Sequence, residues 1–135
     1  YIALIIFNFS IKNIILYTIL IIFGALIYIS FVSIFNSLTF YFYKSSVITD
    51  ALRDTFLNGS LYPDVIFNRA VKIIFFTLIP SAFASWIPVH LILDFNPIYL
   101  IILIIFTIFI VTMAFITFNK GLKNYSSSNL MQGRS

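Results

Sequence analysis

Two stretches without a single charged residue govern what this chain can become. Asn13 to Tyr43 and Ile98 to Asn119 contain no Asp, Glu, Lys or Arg. Each is dominated by Ile, Leu and Phe and is too long for a buried element of a soluble domain. About 20 apolar residues in a helix cross the roughly 30 Å hydrocarbon core of a bilayer. Composition agrees: 61% of residues are hydrophobic and 9% charged, with a mean hydropathy of +1.09. A soluble domain carries about 25% charged residues, so this chain could not cover a water-facing surface. The reading is an all-α, polytopic transmembrane helical bundle fragment, with about three full spans and a helix stub.

The stub is Tyr1–Phe7, too short to span and lacking the basic start of a signal peptide. It reads as the tail of a helix begun upstream, so the sequence is expected to be the C-terminal part of a longer protein. A polar break from Asn8 to Asn13 leads to the first span, about residues 14–35. The uncharged run continues to Tyr43 and is longer than the hydrocarbon core, so it must tilt, bend or follow the interface. Tyr41, Tyr43 and Lys44 are the expected interfacial anchors.

Residues 44–72 form the one extended polar region. Val47, Ile48, Ala51, Leu52 and Phe56 fall on one face of a short amphipathic helix, with Asp50, Arg53, Asp54 and Asn58 opposite. Ser45 or Ser46 caps it, and Gly59 is the expected stop. A further helix is expected from Tyr62-Pro63-Asp64, with Pro at the first helical position and Asp64 at the positive end of the dipole. It presents Arg69 and Lys72 on one side and runs into the second span, residues 73–93.

That span holds Pro80 and Pro88. Each removes a backbone donor and crowds the carbonyl four residues earlier, so a kink or break is expected. Broken membrane helices are where transport paths are built, which makes Pro80, Ser81, Ser85 and Pro88 the candidate lining of a translocation path. Trp86 and His90 read as interfacial residues. Asp94-Phe95-Asn96-Pro97 is a turn, with Asn96 capping a last span over 98–118. On that span Thr107, Thr112 and Thr117 are expected to bond their own backbone or a neighbour. The tail, 119–135, is polar, Ser-rich and basic.

Lys44, Arg53, Arg69 and Lys72 precede the second span, and Lys120, Lys123 and Arg134 follow the third, so two crossings separate them. The positive-inside rule then places the loop 44–72 and the tail 119–135 in the cytoplasm. The net charge of +4 therefore sets orientation and is not a nucleic-acid footprint. There is no Cys, and no phosphate loop, metal-ligand spacing or Ser/His/Asp set can be assembled around His90, the single His. The four acids, Asp50, Asp54, Asp64 and Asp94, all fall outside the spans. Nothing here is catalytic, no cofactor is implied, and any uphill transport must draw energy from elsewhere. A gradient-driven transporter or channel subunit is the alternative, and a membrane enzyme lacks its reactive groups.

Tyr62-Pro63 with Ile66-Phe67, the run Phe76-Thr77-Leu78-Ile79-Pro80-Ser81-Ala82-Phe83, then Pro88, and finally Gly121-Leu122-Lys123-Asn124-Tyr125-Ser126-Ser127-Ser128 follow in a recognisable order. Over about residues 38–130 the chain resembles the C-terminal half of permease subunits of ABC-2 type transporters, in the six-span bacterial subfamily. Trp86-Ile87 and His90 depart from that pattern. The resemblance implies a bacterial plasma-membrane subunit without its own ATPase, paired with a second permease subunit and served by two cytoplasmic ABC ATPase subunits. It also implies export of a drug, peptide or lipid-like cargo. The chief coupling helix of this architecture would precede this sequence, leaving Asp50, Arg53 and Asp54 as a secondary ATPase contact.

Overall fold

The computed structural model describes residues 10–37 and 45–132, all helix and connecting turn. The stub Tyr1–Phe7, the anchors Tyr41, Tyr43 and Lys44, and Arg134 lie outside those residues. Helix α1 is Ile11–Ser37 and α2 is Ser45–Leu61. A 3₁₀ turn, Asp64–Ile66, precedes α3, Arg69–Thr77. Helices α4, Ser81–Ala84, and α5, Trp86–Leu93, follow, and α6 is Pro97–Gln132. The first and last spans fall within α1 and α6, the two helices long and apolar enough to cross a bilayer. The segment between them is bent by 80° at Pro80, as a broken span or a re-entrant loop.

Helices α1 and α6 form the spine. Leu103, Thr107, Ile110, Ala114 and Gly121 are buried along α6 at steps of four, three, four and seven. On α1, Leu20, Ile27 and Phe31 are buried at steps of seven and four, and Ser30 and Ser37 are buried as well. A repeat near 3.5 residues belongs to helices packed side by side along their length. The opposite faces are also apolar: Ile15, Ile19, Ile22, Leu26 and Ile29 on α1, and Ile101, Ile105, Ile108 and Phe115 on α6, are exposed. Such an all-round apolar helix belongs in a membrane. Phe118 shares a cavity with Tyr28, Val32 and Asn36, while Phe106 stacks on Phe83, next to the contact of Ala84 with Gly24. Late residues of α6 thus lie beside late residues of α1, and middle beside middle. The two helices are parallel.

Asn96 Oδ1 accepts from the Ile98 N–H at 3.0 Å and Pro97 opens α6, both as expected. Thr107, Thr112 and Thr117 each donate to the carbonyl four residues earlier at 2.7–2.9 Å. The last helix does not stop at 118, however. It continues without interruption to Gln132, because the tail contains no proline and Lys120, Leu122 and Lys123 are good helix formers.

Helix α2 returns antiparallel along α1. Thr49 Oγ1 donates to the Phe35 carbonyl at 3.3 Å, and the Phe56 ring sits 5.1 Å from Phe31 and 5.4 Å from Tyr28. Its inward face is Thr49, Phe56 and Gly59, with Leu52 half-buried, while Val47 and Ile48 are 74% and 62% exposed. The expected apolar face is therefore rotated. Phe56 fits the aromatic groove of α1, and the small Gly59 allows the close approach that a bulkier face would prevent. Gly59 is not the helix stop: α2 runs through it to Leu61. The expected helix from Pro63 is also divided. Its first turn is the 3₁₀ piece, and α3 restarts after Asn68, whose Oδ1 accepts from the Val71 N–H at 2.9 Å.

A candidate translocation element at the proline break

At Pro80 the helical ladder fails as proline requires. The Ile79 N–H reaches back five residues to the Ile74 carbonyl at 3.0 Å, and the Ser81 N–H turns to the Ile79 carbonyl at 2.6 Å. Pro88 does not break its helix. It occupies the third position of α5, where an N–H has no partner within the helix in any case. The second discontinuity sits at Ser85 instead (φ −127°, ψ −54°). Pro88 has no N–H to offer the Ala84 carbonyl. That oxygen faces Gly24 so closely that a Cβ on Gly24 would lie 2.9 Å from it. A glycine Cα–H against a carbonyl is a weak favourable contact, and here it joins α4 to the spine.

Aromatic rings lock the arms of the break together. Trp86, 4% exposed, lies 5.5 Å from both Phe67 and Phe75, and its indole N–H donates to the Tyr62 carbonyl at 2.9 Å. Phe83 stacks at 3.8 Å on Phe106 of α6. Beneath these rings Gly59 meets the hinge: a Cβ there would fall 2.5 Å from the Phe75 ring and 2.8 Å from Ser81 Oγ. Ser81 is fully buried, and its hydroxyl has no hydrogen-bond partner; nor does the buried hydroxyl of Ser60. Ser85 Oγ donates to the Ser81 carbonyl at 3.0 Å.

Beside the break is a cavity of about 350 Å³. Ser60, Tyr62 and Asp64 line one wall, and Ser85, Trp86 and His90 the other. Asp64 Oδ2 stands 3.3 Å from His90 Nε2 and 3.7 Å from Lys72 Nζ. The sequence separated Lys72 from His90 by the length of a span, with His90 at the far interface. The bend brings both to one carboxylate.

Of the residues singled out from the sequence, Pro80, Ser81, Ser85 and Pro88 thus form one continuous element against Gly24, Gly59 and the spine. Asp50, Arg53 and Asp54 stand apart from it on α2, with Arg53 Nη1 3.6 Å from Asp50 Oδ1. Gly24, Ser60 and the Asp64–Lys72–His90 group were missed as site residues. Only Gly24 carried a local signal, a lone glycine within an apolar span. Among the described residues no group of His, Asp or Glu could hold a metal ion.

A family profile described as ABC-2 family transporter protein matches residues 1–129. The chain belongs to the ABC-2 family of transporter proteins. The ABC-2 match begins at the first residue and so takes in α1, which the resemblance had left to hydropathy alone. No curated protein and no solved structure matches the chain. ABC-2 membrane domains carry no ATPase of their own, in keeping with the lack of a phosphate loop in this sequence. As a transporter membrane protein, the chain has its departures from regular helix gathered at one point beside two long apolar helices.

Proposed function

We propose that this chain forms half of the translocation path of an ATP-driven ABC-2 type exporter of the bacterial plasma membrane. A second permease subunit would complete the path, and separate cytoplasmic ABC ATPase subunits would supply the energy. The observation that carries this reading is the family match over residues 1–129, joined to a proline-broken element packed against the spine.

With the hydrocarbon slab across 14–34 of α1 and 98–118 of α6, Gly24 lies at its midplane, and so does the break that touches it. Helix breaks at that depth are tolerated where the backbone is buried in protein or lines a cavity. Pro80, Ser81, Ser85 and Pro88 would shape the path there. His90, six residues beyond Ala84, would lie about 9 Å from the midplane at 1.5 Å per residue, near the Asp94–Asn96 side. The other end of the bundle holds Arg53, Lys120 and Lys123 against Lys12 and Lys72 at the His90 end, and on that balance the positive-inside rule would make it cytoplasmic. Asp50 would stand at that face, with Arg53 and Asp54 just inside it between the levels of Phe35 and Phe31, and the three would form the secondary ATPase contact.

The test is composition and activity of the complex. The full-length protein, tagged and extracted in mild detergent, is expected to carry an ATPase subunit with a phosphate loop and vanadate-sensitive ATP hydrolysis. Purification of the intact permease with no such subunit, from cells expressing the neighbouring genes, would overturn the reading.

A further inference from the structure

Asp64, Lys72 and His90 belong to three different elements: the 3₁₀ turn, the first turn of α3, and α5. Their shared carboxylate stands across the mouth of the 350 Å³ cavity, with Asp64 on one wall and His90 on the other. Leu61, Val65, Val89 and Leu93 around the mouth are apolar and exposed, so they offer no polar link across it. In the lining lies the unpaired hydroxyl of Ser60. Both wall elements connect to backbone that departs from regular helix: Pro63 and Phe67 flank the 3₁₀ turn in extended conformation, and Ser85 and Pro80 interrupt the other arm.

We propose that His90 and Asp64 form a latch closing this cavity, and that parting them admits water to Ser60. Three features make the closed state one of two rather than a fixed structure. The contact is partly exposed, with side-chain accessibilities of 54% for His90 and 26% for Asp64, which keeps it weak. The closed state leaves the buried Ser60 hydroxyl in the cavity lining unsatisfied, a standing cost that hydration removes. Lys72, 3.7 Å from the same oxygen, keeps Asp64 paired when His90 leaves, so opening strands no buried charge. The moving half of the latch is thus His90 with α5, and the fixed half is Asp64 held by Lys72. The inference rests on the exporter reading only for its consequence, the opening of an exit on the Asp94–Asn96 side.

The chain contains no Cys, so Ser60→Cys reports opening through its rate of modification by a small cationic methanethiosulfonate. His90→Ala should speed labelling about fivefold, the equivalent of losing one side-chain hydrogen bond. Lys72→Ala should not speed it, because Asp64 then depends on His90 alone. An unchanged rate in His90→Ala, or equal acceleration in Lys72→Ala, overturns the latch. Should His90→Ala fail to reach the membrane, a second measurement decides. With Ser60 left native, Asp64→Cys/His90→Cys should be joined by a short bis-methanethiosulfonate linker, and absence of the link refutes the contact. Neither readout requires an ATPase, so failure of the exporter reading would leave both results standing.

Discussion

Replacing Gly24 by Ala sets two effects of opposite sign against each other, and the structure says which wins. In an exposed helix interior, Gly→Ala stabilises by about 0.5–1 kcal/mol, because alanine has less backbone freedom to lose. At Gly24 the new methyl would stand 2.9 Å from the Ala84 carbonyl oxygen. That is about half an ångström inside ordinary contact, on the steep side of the van der Waals well. The obstacle is backbone, not the end of a flexible side chain, so relief requires α1 and α4 to separate. Such separation would disturb the neighbouring stack of Phe83 on Phe106. Overpacking of this kind costs about 1–3 kcal/mol, so Gly24→Ala should destabilise by about 1 kcal/mol net and Gly24→Val by more. The assay is reversible unfolding of the detergent-solubilised full-length protein. Ala25→Gly, at an exposed neighbouring position, calibrates the propensity effect alone. A midpoint for Gly24→Ala at or above the parent's would refute the close approach, and with it the register that places the break opposite the middle of α1.

Three further substitutions probe other parts of the argument. Trp86→Phe keeps the ring contacts but leaves the Tyr62 carbonyl without its indole donor. A loss of about 1–3 kcal/mol is expected in the same unfolding assay, and an unchanged midpoint would mean the bond contributes nothing. Arg53→Glu places a third negative charge beside Asp50 and Asp54 and should weaken co-purification of the ATPase without altering membrane insertion. Undiminished recovery of the ATPase would remove this contact from the coupling surface. Pro80→Leu and Pro88→Leu, which restore backbone donors at the hinge, should reduce transport more than expression. Normal transport in both would return the prolines to a packing role.

The spine was legible because its signal is one of length and missing charge, which need no knowledge of partners. Asn96 and Pro97 were legible for the same reason: capping is decided within a few residues. The inward face of α2 was not. It is marked by Thr49 and Gly59, one valued for a hydrogen bond to the Phe35 carbonyl and the other for its lack of a side chain. Neither registers as apolar, so the wheel pointed to Val47 and Ile48 instead. The two prolines show the same limit at finer scale. Their chemistry predicts a break at each, but Pro88 falls in a first helical turn, where its missing donor is harmless, and that position is set by the discontinuity at Ser85. The contact of Asp64 with His90 spans 26 residues and follows from an 80° bend whose size no local rule supplies.

The cost of the break itself argues that it serves a purpose. A regular helix through residues 69–93 would satisfy its own backbone, as α1 and α6 do. Here Pro80 and Pro88 have no N–H to offer the Phe76 and Ala84 carbonyls, and the hydroxyls of Ser60 and Ser81 are buried without partners. Each unsatisfied buried hydroxyl costs about 1–3 kcal/mol, and the penalty is at its most severe where no water can help. Set against this are the cluster around Trp86, the Phe83–Phe106 stack and the two glycine contacts, all of them packing terms that bind the hinge to its neighbours without mending its hydrogen bonds. Packing of rigid rings fixes one arrangement well, whereas unmet hydrogen bonds favour any other arrangement that admits water. A segment in which these two forces oppose each other is suited to having two conformations of similar free energy, as a path opening alternately requires. An all-Leu replacement of this segment would be expected to fold more stably and to transport nothing.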